Sequence, residues 1–112
     1  MIHRIALGLA CVCLPTFAMA DMNVQNNRYT CERGVEVAVV YADSGDSAIA
    51  VLMVEGNQIL LYPEPAASGA RYGWPSDGSN YVWLTNGNEA KLLWHDGTTN
   101  TETTLLAACT QT

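Results

Sequence analysis

From Val35 to Tyr41 the chain alternates, with Val35, Val37, Val39 and Tyr41 on one side and Glu36, Ala38 and Val40 on the other. A period of two is that of a β-strand, whose successive side chains point to opposite faces. Short runs rich in β-branched, aromatic and small apolar residues follow at Ser47 to Val54, Ile59 to Tyr62, Ala70 to Trp74, Tyr81 to Leu84, Glu89 to Trp94 and Glu102 to Cys109. An earlier one opens at Tyr29-Thr30-Cys31 and ends at Arg33-Gly34. Turn-forming residues separate them: Asp43-Ser44-Gly45-Asp46, Glu55-Gly56-Asn57, Pro63 with Pro65, the Ser, Gly and Asp of 75–80, Asn86-Gly87 and Asp96-Gly97. Asn86-Gly87 is a strong hairpin signal because both residue types accept positive φ. Residues 21–27 are polar and aperiodic, which predicts a loose leader.

About eight short strands with closely spaced turns, and no stretch at helical spacing, predict an all-β antiparallel sandwich or barrel. An eight-stranded barrel has an interior just wide enough to be filled by side chains. Val, Ile, Leu, Met and Ala with Trp83 or Trp94 suit that filling.

The first twenty residues read differently. Met1 to Arg4 is short and basic, Ile5 to Leu14 is apolar, and Ala18-Met19-Ala20 is a small-residue site. This is the pattern of a secretory signal peptide, residues 1–20, cleaved after Ala20. The apolar run is too short for a spanning helix, which needs about 20 residues, and no membrane span is expected elsewhere. An alternative is a lipoprotein signal with Cys11 acylated, since Gly8-Leu9-Ala10 precedes it; Gly8, however, stands where a leucine is usual. Residues 21–112 then form one domain.

Of the four cysteines, Cys11 and Cys13 fall in the signal, leaving Cys31 and Cys109. In an oxidising compartment an isolated pair predicts one disulfide. Neither has the CxxC or HxxxH neighbours of a metal site, so no metal and no cofactor are expected. Removing Arg4 from the five basic residues leaves four against eleven acids, so the exported chain carries 4 − 11 = −7. That field disfavours nucleic acid and anionic lipid as partners and draws in a cationic protein.

Catalytic groups are scarce. His3 is in the signal, and His95 reads as a solvated turn residue beside Asp96. No GxSxG elbow or phosphate loop is present, and nothing in the spacing brings Glu64 to Glu89. A binding protein is therefore expected, not an enzyme. Two polar turns are the candidate surface: Ser68-Gly69 with Arg71 and Tyr72, and Asn86-Gly87 following Trp83. Each alone is an ordinary turn; their joint occurrence is what carries information.

Together with Tyr29-Thr30-Cys31 and Cys109, the blocks Ser68-Gly69-Ala70-Arg71-Tyr72 and Trp83 to Ala90 resemble the MliC/PliC family, membrane-bound or periplasmic inhibitors of C-type lysozyme from Gram-negative bacteria. The resemblance implies an eight-stranded antiparallel barrel that inserts two polar loops into the cleft of a C-type lysozyme, a cationic glycoside hydrolase. Ser68, Gly69, Arg71, Tyr72, Asn86 and Gly87 are its implied lysozyme-binding residues. In the family a serine of the first motif and a lysine of the second reach the catalytic carboxylates. Ser68 matches the serine, but Asn86 stands at the lysine position and Leu84 at that of an aromatic residue. Lys91 lies outside the motif. A small-ligand or cell-wall-fragment binder of the envelope, built on the same barrel, is the alternative reading.

Overall fold

The computed structural model describes residues 21–112; the expected signal peptide and Cys11 lie outside the described residues. Eight strands form: β1 Asn23–Thr30, β2 Glu36–Asp43, β3 Ala48–Val54, β4 Asn57–Glu64, β5 Ala70–Gly73, β6 Asn80–Asn86, β7 Glu89–Asp96 and β8 Thr101–Gln111. Each pairs antiparallel with its sequence neighbours, and β8 returns to β1 to close a barrel. A single 3₁₀ turn, Glu32–Gly34, lies between β1 and β2.

Alternation sets the inside. Val37 and Val39 of β2, Ala50 and Leu52 of β3, Leu61 of β4, Trp83 of β6 and Leu92 of β7 are buried together with Tyr29, Leu106 and the two cysteines. Trp83 is fully buried and stands edge-on to Tyr29, ring centres 5.1 Å apart. Its indole N–H donates to the Tyr41 hydroxyl at 2.8 Å, and that hydroxyl bonds Tyr29 Oη at 2.9 Å. A buried indole without a partner would forfeit a hydrogen bond, so Tyr41 makes the tryptophan acceptable inside. Burial, and then the hydrogen bond with Tyr29, push the Tyr41 phenol far above its usual range. It therefore stays a neutral hydroxyl.

The chain start is corrected by the structure. Residues 23–27 are not a loose leader but the first part of β1, in register with β2 from Asn23↔Asp43 to Thr30↔Glu36. Their inward positions, Asn23, Gln25 and Asn27, are amides lining the open mouth of the barrel with Tyr41, Asp43 and Tyr72. Water reaches them there, so the strand needs no apolar alternation to form.

Closure is thin at one seam. β1 and β8 share only the pairs Tyr29↔Gln111 and Thr30↔Thr110. Beside them the expected disulfide joins Cys31 to Cys109, and the Glu32 carboxylate accepts from the Ala107 N–H at 2.7 Å. On the other side of β8 its register against β7 shifts between Ala90 and Leu92 and again between Leu92 and Leu93. Ala108 takes a φ of 54° in the first shift. Such bulges add local bend and twist, which a closed barrel requires.

Candidate functional site

The first candidate turn follows β4. Pro63 and Pro65 bracket its start, and Ser68 and Gly69 lead into β5. The second joins β6 to β7. Asn86 pairs with Glu89, so the two central residues are Gly87 and Asn88 rather than Asn86 and Gly87. Gly87 has φ 62° and Asn88 does not take a positive φ. Positive φ at the first central residue alone is the type II′ pattern, with glycine first. Asn86 therefore stays extended as the last residue of β6.

The two turns touch. Gly69 has φ 64°, and a Cβ placed on it would overlap the Thr85 carbonyl oxygen and lie 3.3 Å from Asn86 Cα. The next residue, Ala70, pairs with Thr85. Ser68 and Asn86, both exposed, thus project from one end of the barrel and line one cleft of about 570 Å³ with Leu84, Glu89, Lys91 and Thr110. Gly87 instead reaches the rim of the barrel mouth, where Tyr72 is half-buried against Tyr41 at 5.5 Å. Burial pushes the Tyr72 phenol up, and so does the nearby Asp43 charge.

Arg71 is occupied differently from the sequence expectation. Its Nε donates to Glu64 at 2.8 Å, and its two terminal nitrogens take both oxygens of Glu102, one of them at 3.2 Å. His95 Nδ1 is 3.0 Å from the same Glu102 carboxylate. His95 is thus a strand residue of β7 held by a carboxylate, not a solvated turn residue. By alternation, Arg71, Val82, Leu93 and Glu102 share the outer face, so the Arg71–Glu102 pair crosses β6 and β7 there. That accounts for Val82 and Leu93 being buried although Trp83 and Leu92 hold the inner positions. Arg71 secures the barrel wall; its charge is spent on two carboxylates.

Hydrogen bonds from Arg71, chiefly, hold the Glu102 carboxyl below its usual range, with His95 assisting. A depressed carboxylate contributes stability above its unfolded pKa, about 4.3, and loses it as pH falls through the lower folded value. Glu102→Gln is expected to cost about 1 kcal/mol at pH 7, allowing for the partial exposure of the pair, and less at pH 3. Urea midpoints of both proteins at the two pH values check this; an equal difference at both would sink it.

Among the described residues no group of three His, Cys, Asp or Glu is arranged to hold a metal ion, and no helix is long and apolar enough to cross a membrane. Sequence reasoning set Lys91 aside, yet it lines the cleft with Ser68 and Asn86. The hairpin register was the available signal: with Asn86 opposite Glu89, residue 91 falls diagonally beside Asn86 on the same face.

Comparison with known proteins agrees with this architecture. The family model described as "MliC: Membrane-bound lysozyme-inhibitor of c-type lysozyme" matches residues 29–101. The membrane-bound lysozyme inhibitor of C-type lysozyme of Pseudomonas aeruginosa is 35% identical over 81 residues, 70% of this chain and 61% of that protein. Its namesake from Cupriavidus necator is 37% identical over 70 residues, 62% of this chain and 53% of that protein. This chain thus spans between about half and three-fifths of these relatives' length. Among solved structures, Pseudomonas aeruginosa MliC in complex with hen egg white lysozyme superposes with a TM-score of 0.63. It is 25% identical, and the match covers 96% of this chain and 99% of that one.

Proposed function

The chain belongs to the family of membrane-bound lysozyme inhibitors of C-type lysozyme, and from that premise we propose that it inhibits a C-type lysozyme by placing its two polar turns in the enzyme's cleft. The observation that carries this reading is the contact of Gly69 with Thr85 and Asn86, which presents Ser68 and Asn86 as one projection. Lysozyme cleaves its substrate with two carboxyl groups, so a plug for its cleft must offer hydrogen-bond donors. Ser68 supplies a hydroxyl and Asn86 an amide N–H₂. Gly69 and Gly87 keep the turns free of side chains and allow close backbone approach. The exported domain's charge of −7, from 4 − 11, speeds encounter with a basic enzyme. The chain acts by occupation and catalyses nothing. Export through the signal peptide 1–20 and residence in the periplasm complete the proposal, with acylation of Cys11 as the alternative anchor.

Asn86 in place of lysine lowers the expected affinity. A charge-assisted bond is worth about 1.5–3 kcal/mol against about 1 for a neutral one. In titrations of hen egg white lysozyme with the purified domain, Ser68→Ala should weaken inhibition about tenfold, since a neutral methyl replaces a donor to a carboxylate. Asn86→Lys should tighten it by up to about tenfold for the converse reason. Full lytic activity in the presence of excess wild-type domain would refute inhibition itself. Unchanged affinity in both variants would refute this docking mode.

The small-ligand reading has less to stand on. Tyr29, Trp83 and the aliphatic core fill the interior, and what remains is the open mouth of about 370 Å³ bordered by amides and tyrosines.

A further inference from the structure

The described chain carries four basic side chains, and three are already paired. Arg28 faces Glu36 at 3.6 Å, Arg33 faces Glu32 at 3.5 Å, and Arg71 is held by Glu64 and Glu102. Lys91 alone among the described residues has no carboxylate within 4.0 Å. It is exposed and lines the cleft that Ser68 and Asn86 share.

Its position follows from the hairpin. Register places Asn86 opposite Glu89 and Leu84 opposite Lys91. Residues two apart on a strand share a face, so Leu84, Asn86, Glu89 and Lys91 all point into the cleft. Asn86 and Lys91 are diagonal neighbours, about 7–8 Å apart at the backbone and within reach of a long side chain. The lysine stem is flexible and carries its charge at the tip as a point donor. An ammonium can therefore be presented beside the Asn86 amide even though no lysine occupies the turn.

We propose that Lys91 is the cation this inhibitor offers to the acidic cleft of its target, taking over from the next strand the charge that residue 86 lacks. This deepens the proposed inhibition and rests on it. The Lys91 ammonium meets a cleft carboxylate while the Asn86 amide and Ser68 hydroxyl supply neutral donors alongside. Glu89, exposed on the same face, tempers the ammonium in the free protein and is displaced from its influence when the enzyme's carboxylate arrives. Arg71 cannot substitute, because releasing it would strip two carboxylates of their partner.

The test is a double-mutant cycle at positions 86 and 91, read as Kd for hen egg white lysozyme by titration calorimetry at low and moderate salt. Lys91→Gln is expected to weaken binding about tenfold, the difference between a charged and a neutral donor, and to flatten the salt dependence. Far-ultraviolet circular dichroism and melting temperature should stay those of wild type, since the side chain is exposed and holds no ion pair among the described residues. In an Asn86→Lys background the same Lys91→Gln change should cost less than about threefold, because the turn lysine then carries the charge. Arg28→Gln, which removes one positive charge that is paired with Glu36 and does not line the cleft, serves as the control and should leave Kd within about twofold.

An unchanged Kd for Lys91→Gln overturns the inference, as does a loss of equal size in both backgrounds, which would mean that Lys91 and residue 86 act independently. A loss matched by Arg28→Gln also overturns it, since net charge alone would then explain the effect. If Ser68→Ala weakens binding while Lys91→Gln does not, the inhibitor reading stands and only the role of Lys91 falls. If wild type does not bind the enzyme, both fall together.

Discussion

Gly69→Ala is expected to cost about a hundredfold in affinity for a C-type lysozyme, about 2.7 kcal/mol, although it adds a single methyl group. Two effects combine. At φ 64° an L-residue is strained by about 1–2 kcal/mol. The added carbon would also overlap the Thr85 carbonyl oxygen, with Asn86 Cα 3.3 Å away. Both obstructions are backbone, so no rotamer change relieves them. The Ser68 turn must lift away from the β6–β7 hairpin, and the single projection becomes two separated tips.

Gly87→Ala is the matched comparison. Gly87 has nearly the same φ, 62°, but nothing lies within 4 Å of where its Cβ would stand. It should pay the conformational cost alone, about 1–2 kcal/mol, as a lowered urea midpoint. Inhibition by folded Gly87→Ala should fall far less than for Gly69→Ala. Equal losses in the two variants would mean that contact between the turns is not what the enzyme recognises.

Breaking the Cys31–Cys109 bond should produce the largest loss of stability in the molecule. The bridged residues are 78 apart in sequence, and closing a loop of that size removes about 4–5 kcal/mol of unfolded-state entropy in the chain model. For a domain of this length that corresponds to a fall in Tm of about 20 °C or more. The position adds to the effect. Two ladder pairs join β1 to β8, with one further backbone bond from the Thr112 N–H to the Arg28 carbonyl at 2.9 Å, and the disulfide fastens the chain next to them. Opening the seam exposes two strand edges, and a sheet with open edges is prone to pair with other chains. Melting followed by circular dichroism, with and without a reductant, measures this, beside the double variant Cys31→Ser/Cys109→Ser. A fall of less than about 5 °C would show that the ladder closes the barrel unaided. Loss of inhibition under reduction should track unfolding, because the Ser68 and Asn86 turns lie on β4–β7 and are not themselves crosslinked.

The family assignment rests on residues 29–101, and those are also the residues that alternate most clearly. Val37 and Val39 announce their inward face through period two, and both are buried. The glycine turns announced the hairpins. Asn86-Gly87 was read correctly as a hairpin but one residue out of place, since Asn-Gly and Gly-Asn both satisfy a two-residue turn and only pairing of Asn86 with Glu89 chooses between them. Residues 23–27 were misread because alternation signals a strand only where one face is dry. At the barrel mouth both faces meet water, and amides serve as well as valines. The motif places Arg71 at the recognition surface; no local pattern reveals that Glu102, 31 positions later, also holds its guanidinium.

By itself, then, the amino-acid order determined the strands from β2 onward, the turns to within a residue, the disulfide and the candidacy of Ser68 and Asn86. All of these follow from preferences spanning a few residues or from the chemistry of two cysteines under oxidising conditions. Tertiary structure decided which polar groups face one another. It set Ser68 against Asn86, drew Arg71 across the wall to Glu64 and Glu102, and left Lys91 unpaired in the shared cleft. Such pairings depend on barrel register and on the shifts along β8, and these are settled by packing over the whole closed sheet, so residues distant in sequence acquire partners that no local window contains.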